Sequence, residues 1–168
     1  MSPDDLLDEW RRGLRISVRA HYEAAKHFER LHLMLSLPAV LVSALLGSAV
    51  FASFQHSDVS WIKTMMAILS VATIGLSSLQ AALRFAERAE RHKAAANQLG
   101  EVRRALEQQF VFMHRDEPTI EELRKRWDSA DRQAPTIPSR IYNKTAELVS
   151  KLGDRLPDQG DKSRVAAP

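Results

Sequence analysis

The stretches LHLMLSLPAVLVSALLGSAVFASF (residues 31–54) and TMMAILSVATIGLSSLQAAL (residues 64–83) contain no Asp, Glu, Lys or Arg. A hydrocarbon layer about 30 Å thick is crossed by roughly 20 apolar residues of helix, and these runs of 24 and 20 residues are each long enough. A core helix of a soluble protein seldom stays uncharged on every face for so long. The expectation is therefore two membrane spans, at about residues 31–54 and 61–83, rather than a buried pair in a soluble protein. A secretory signal fits the first run poorly, because 30 mostly polar residues precede it without a compact basic segment and a nearby cleavage site.

The mean hydropathy of −0.28 conceals these runs. Of 168 residues, 24 are Lys or Arg and 21 are Asp or Glu, with seven Pro, six Gly and no Cys, which describes one modest domain without disulfides or thiolate metal sites. Basic residues sort unequally around the spans. Arg11, Arg12, Arg15, Arg19, Lys26 and Arg30 precede the first, and Arg84, Arg88, Arg91 and Lys93 follow the second, while only Lys63 lies near the connection. By the positive-inside rule both termini face the cytoplasm and the chain is a multi-pass protein of the inner membrane. The short polar link QHSDVS (residues 55–60) turns the spans into an antiparallel hairpin, with Phe51, Phe54 and Trp61 at the outer interface.

Outside the spans the period is that of amphipathic helices. Ser2 and Pro3, followed by two acids, form a helix start. Leu7, Trp10, Leu14, Val18, His21, Ala25 and Phe28 make one apolar stripe, and Ala96, Leu99, Val102, Leu106, Phe110 and Met113 make another. No proline falls between Trp61 and Pro118. Counted outward from the turn, each arm has 52 positions and reaches about 78 Å at 1.5 Å per residue. The stripes can bury each other in water, where apolar faces are driven together. Thr119 opens a capping box before a helix with Ile120, Leu123, Trp127 and Ala130 on one face. Pro135 and Pro138 favour an extended connection, and Ile141, Thr145, Leu148, Leu152 and Leu156 mark a last amphipathic helix. The fold class is all-α: a membrane hairpin (1–113), a cytoplasmic helical extension (114–156) and a polar, disordered tail (157–168).

Catalytic and metal chemistry find little support. None of the six histidines pairs with another at one-turn spacing, and Glu23 with His27 supplies too few ligands. No Gly-rich phosphate loop or nucleophile elbow is present, so no enzyme activity, metal or cofactor is expected. The bases interleave with acids, the pattern of a solvated helix rather than a nucleic-acid surface, and the surplus beside the spans suits anionic headgroups.

Within the first span Ala39, Ser43 and Gly47 form a ridge of small residues, and Gly75, Ser78 and Ala82 offer a comparable face on the second; such ridges let helix backbones approach. Pro38 removes a backbone donor and is a candidate hinge. Ser70, Thr73, Ser77 and Gln80 recur at three, four and three residues, and Arg84 continues the stripe. Such a stripe either hydrogen-bonds to a neighbouring helix, the commoner use of Ser and Thr in membranes, or lines a water-filled path. Two helices cannot enclose a pore, so conduction requires a homo-oligomer.

The pattern as a whole resembles the SLATT domain, a two-transmembrane effector associated with SMODS nucleotidyltransferases and SLOG proteins in bacterial conflict systems. The resemblance lies in RAHYEAAKHFERLHLMLSLPAVLVSALLGS (residues 19–48), SLQAALRFAERAERHKAAANQLGEVRRALEQ (78–108) and APTIPSRIY (134–142). It implies an anti-phage membrane effector that forms pores or perturbs the bilayer when a separate sensor or nucleotide-signalling protein reports infection, and it brings no catalytic residues. The alternative is a non-conducting membrane scaffold that recruits a soluble partner through its cytoplasmic helices.

Overall fold

Pro3 opens the first helix, where a missing N–H costs nothing because the first-turn amides have no helical partner. From it α1 runs without a break through Pro3–Ser53, carrying Pro38 inside it. In the computed structural model, which describes residues 3–53, 60–112 and 117–153, four further helices follow: α2 Ser60–Leu83, α3 Phe85–Phe112, α4 Glu117–Gln133 and α5 Ser139–Gly153. No strand occurs among the described residues, and the fold is all-α.

The second arm departs from the uninterrupted helix that its sequence predicts. Arg84 takes a left-handed backbone conformation, with φ of 48°, and separates α2 from α3. The amide of Arg84 still donates to Gln80 O at 3.1 Å, and that of Arg88 to Arg84 O at 3.0 Å, so the break is confined to one residue. A left-handed non-glycine residue costs roughly 1–2 kcal/mol. Two contacts flank it: the Arg84 guanidinium lies 2.5 Å from Glu87, and the Phe85 ring stacks on Phe28 of α1 at 6.2 Å between centroids.

By packing, the chain divides into two units, one of Met1–Ala24 with His92–Pro168 and the other of Ala25–Arg91. The first has a well-defined core. Leu7, Leu14 and Val18 of α1, Leu99, Val102 and Leu106 of α3, and Leu123 and Ala130 of α4 form one buried cluster, with Trp10, Ala105, Ile120 and Trp127 packed on it. Both expected stripes therefore face inward, as does the stripe of α4. The α1 and α3 segments run antiparallel, since Arg15 meets Glu107 and the later residue Tyr22 meets the earlier Asn97.

Two helices differ from expectation in detail. The helix placed after a Thr119 cap already includes Glu117 and Pro118, so Thr119 lies within the first turn; proline is tolerated there because no helical acceptor awaits its N–H. On α5 the buried residue is Thr145, whose hydroxyl donates to Ile141 O at 2.8 Å, whereas Leu148 and Leu152 are exposed rather than inward-facing. The expected cap at Ser2, the link at 55–60 up to Ser60, Phe54, Met113, Leu156 and the tail at 157–168 lie outside the described residues, and so do the side chains of Phe51 and Phe110.

In the second unit the apolar helices are bare. Of the most apolar eighteen-residue window of the first arm 6% is buried, and of the second none. Both helices are long and apolar enough to cross a membrane.

Gly13 is on the α1 face that meets α4, where a Cβ would sit 3.6 Å from the Trp127 ring, an ordinary contact distance. Gly13→Ala should therefore gain helix propensity without a clash and raise stability by about 0.5–1 kcal/mol. Unfolding of the detergent-solubilised chain, followed by tryptophan fluorescence, checks this; a destabilised variant would mean that the ring cannot accommodate one methyl group.

Candidate functional site

The spans and the helical core each hold polar groups in unusual settings. On α2, Ser70 donates to Met66 O at 2.7 Å and Thr73 to Leu69 O at 2.8 Å, so each hydroxyl satisfies itself on the preceding turn of its own helix. Ser77 is exposed. Gln80 differs: its side-chain Nε2 is buried and has no hydrogen-bond partner among the described residues. Leaving an amide donor buried and unmatched costs about 1–3 kcal/mol.

Helical geometry separates this stripe from the small-residue face of the same span. At 3.6 residues per turn, Ser70, Thr73, Ser77 and Gln80 fall within an arc of about 80°, and the centre of the Gly75, Ser78 and Ala82 face lies about 150° away. A Cβ at Gly75 would meet nothing within 4 Å, nor would one at Gly47. Of the first ridge only Ala39 is buried, and Ser43 turns its hydroxyl back to Ala39 O at 2.8 Å. Ser78, Ala82 and Pro38 are exposed. Within one chain, both glycines face open space.

A second polar site lies in the helical core, and spacing along one helix could not disclose it. His21 of α1 and His92 of α3, 71 residues apart, place their Nδ1 atoms 3.0 Å from each other, and both side chains are buried. One ring must donate its Nδ1–H and the other accept with a lone pair, so the accepting ring at least is neutral. Burial, reinforced by His92, lowers the pKa of His21 to about 4 despite the opposing pull of Asp131 on α4; burial lowers that of His92 as well. The sequence did carry a hint, because His21 sits on the apolar stripe of α1 and His92 lies one turn before Ala96 on that of α3. Among the described residues no group of three His, Cys, Asp or Glu side chains is placed to hold a metal ion.

The family described as SMODS and SLOG-associating 2TM effector domain family 4 matches residues 6–147, which is most of the chain. The chain belongs to the SLATT family. Comparison with curated proteins and with solved structures returned no match. The SLATT assignment accounts for the bare apolar helices: they are the spans of a two-transmembrane effector domain, and lipid covers what the protein does not. It places the SLATT chain among membrane effectors associated with conflict systems.

The histidine pair gives the SLATT core a pH dependence of definite sign. The unfolded chain binds a proton at His21 near pH 6.5, whereas the folded chain does so only near pH 4. Stability is thus complete above pH 6.5 and declines as the pH falls toward 4. Thermal unfolding in detergent should show a melting temperature that drops between pH 7 and pH 5, with the drop largely abolished in the His21→Leu/His92→Leu double variant. Equal pH dependence in the two proteins would refute the assignment.

Proposed function

We propose that this SLATT chain is a non-enzymatic membrane effector of a bacterial conflict system that oligomerises in the inner membrane, with both termini in the cytoplasm, and opens or perturbs the bilayer when a separate sensor protein signals. The carrying observation is Gln80. Its buried amide is left unmatched on a helix whose apolar surface one chain does not cover, and the donor can be satisfied by a neighbouring copy or by water in an assembled path. Ser70, Thr73 and Ser77 share its face. The small-residue face on the far side of α2, open at Gly75, suits close approach of another helix. An oligomer built this way packs through one side of α2 and turns the polar side to its interior.

In this reading Arg84 acts as the joint between span and aqueous helix, in addition to any bending at Pro38. Conversion of Arg84 to right-handed geometry would fuse α2 and α3 into one helix and redirect the residues that follow. A non-conducting scaffold is the second reading, and it draws on α5, where Leu148 and Leu152 are exposed one turn apart as a surface for a soluble partner.

Replacing Ser70, Thr73, Ser77 and Gln80 together by Leu should abolish depolarisation in bacteria that express the chain with its sensor, as followed with a voltage-sensitive dye, while membrane insertion persists. Undiminished depolarisation in that variant would remove the stripe from the conducting path. If the native chain is inserted and activated yet the potential holds steady, the scaffold reading prevails.

A further inference from the structure

A groove with a volume of about 880 Å³ runs along the helical core between α1, α3 and α5. Its walls carry Arg11, Arg12, Arg15 and Arg19 from α1, and Arg103 and Arg104 from α3. Arg12, Arg15 and Arg19 of α1 recur at intervals of three and four residues, and Arg11 lies one turn before Arg15, so the four share a face. Among the described residues no lysine lines the groove, and Asp8 is the one acid that does.

This is not the ordinary charge pattern of a solvated helix. Elsewhere on the surface cations sit tightly against carboxylates, as with Arg124 on Glu121 at 3.0 Å and Lys151 on Glu147 at 2.5 Å. At the groove one carboxylate, Glu107, is shared by Arg15 and Arg103 at 3.7 Å from each, beyond hydrogen-bond length. The Nε of Arg103 is buried and makes no hydrogen bond among the described residues.

The groove is also built rather than merely charged. Gly100 is buried beneath it, and a Cβ there would lie 3.5 Å from a guanidinium nitrogen of Arg104, which rests over the glycine. Arg12 donates to Ser150 Oγ of α5 at 3.3 Å, tying the third helix to the rim. Val18, Val149 and Leu152 supply an apolar wall. At one end the Tyr22 hydroxyl donates to Asn97 Oδ1 at 2.7 Å, which fixes that ring in place. The volume lies within the usual span of small-molecule sites.

We infer that this arginine-lined groove binds a small anion carrying two or more phosphate groups. Guanidinium is the side chain suited to that task, because its planar fork meets phosphate oxygens bidentately and stays charged at every physiological pH. A single phosphate could satisfy at most a few of the guanidinium groups, whereas several phosphates spaced along one ligand match cations spaced along two helices. The apolar wall leaves room for an organic portion. The ligand would join α1, α3 and α5, and the inference holds whether or not the spans conduct.

The test uses the full chain in phosphatidylcholine nanodiscs at fixed 0.15 M ionic strength, titrated calorimetrically with inorganic triphosphate and, separately, with inorganic monophosphate. Triphosphate should bind saturably and at least tenfold more tightly than monophosphate. The Arg12→Gln/Arg104→Gln variant should weaken triphosphate binding tenfold or more with unchanged circular dichroism, while Arg132→Gln, on α4 and outside the groove, should leave it unaltered. Repeating the titration in discs that contain cardiolipin, a lipid with two phosphates, separates the sources. Retained triphosphate binding identifies a soluble ligand, and its loss by competition identifies a headgroup. Absence of triphosphate binding in the phosphatidylcholine discs, or equal weakening by Arg132→Gln, overturns the inference.

Discussion

Backbone amides inside a hydrocarbon layer have no water to turn to, and this constraint governs the whole chain. Each peptide group inside the bilayer must find its partner in the protein, and the two helices long and apolar enough to cross it meet that demand within their own segments. Pro38 is accommodated inside α1 for the same reason, since interrupting the helix would strand more groups than the single amide that proline removes. Ser43, Ser70 and Thr73 follow the rule at side-chain level by donating to carbonyls one turn back. Gln80 is too long and too polar for that solution. Its amide nitrogen is buried without a hydrogen-bond partner among the described residues.

Water imposes the opposite economy on the remaining helices. There the hydrophobic effect gathers Leu14, Leu99 and Leu106 into full burial, and α4 closes the cluster with Leu123 and the edge-on contact of Trp127 with Trp10 at 5.9 Å. Neutral imidazole can join such a core when it has a partner. His21 and His92 serve each other, and the pair remains compatible with burial only while both stay uncharged. The neighbouring Asp131 favours a proton on His21, but desolvation outweighs it.

Much of this architecture was legible in the residues because each stripe obeys a simple period. The uncharged runs disclosed the two helices long and apolar enough to cross a membrane, and positions such as Leu7, Val18, Leu123 and Ala130 disclosed the inward faces of the other segments. What escaped has physical reasons. The histidine pair joins residues 71 apart, and mirror counting from the turn sets position 21 opposite 94, close to His92 but not on it. The break at Arg84 has no local signature, since neither Gly, Asn nor Pro stands there and arginine has no left-handed preference. The exposed Leu148 and Leu152 follow from tertiary competition: α5 meets the core through Thr145, whose back-bonded hydroxyl makes its burial inexpensive. The arginines of the groove were read individually as solvated or topogenic, because their convergence needs the fold to bring α1 beside α3.

Arg84 links these themes through its energetics. Its left-handed geometry costs roughly 1–2 kcal/mol, while the exposed ion pair with Glu87 returns at most about 1 kcal/mol. An aromatic pair such as Phe85 on Phe28 returns about 0.5–1.5 kcal/mol. The contacts beside the break are thus of the same order as its cost. The same joint placed inside the hydrocarbon would have to satisfy its freed backbone groups without water and would be far harder to move. Its position immediately after the uncharged run, with both flanking backbone hydrogen bonds intact, is therefore where a break in the arm costs least.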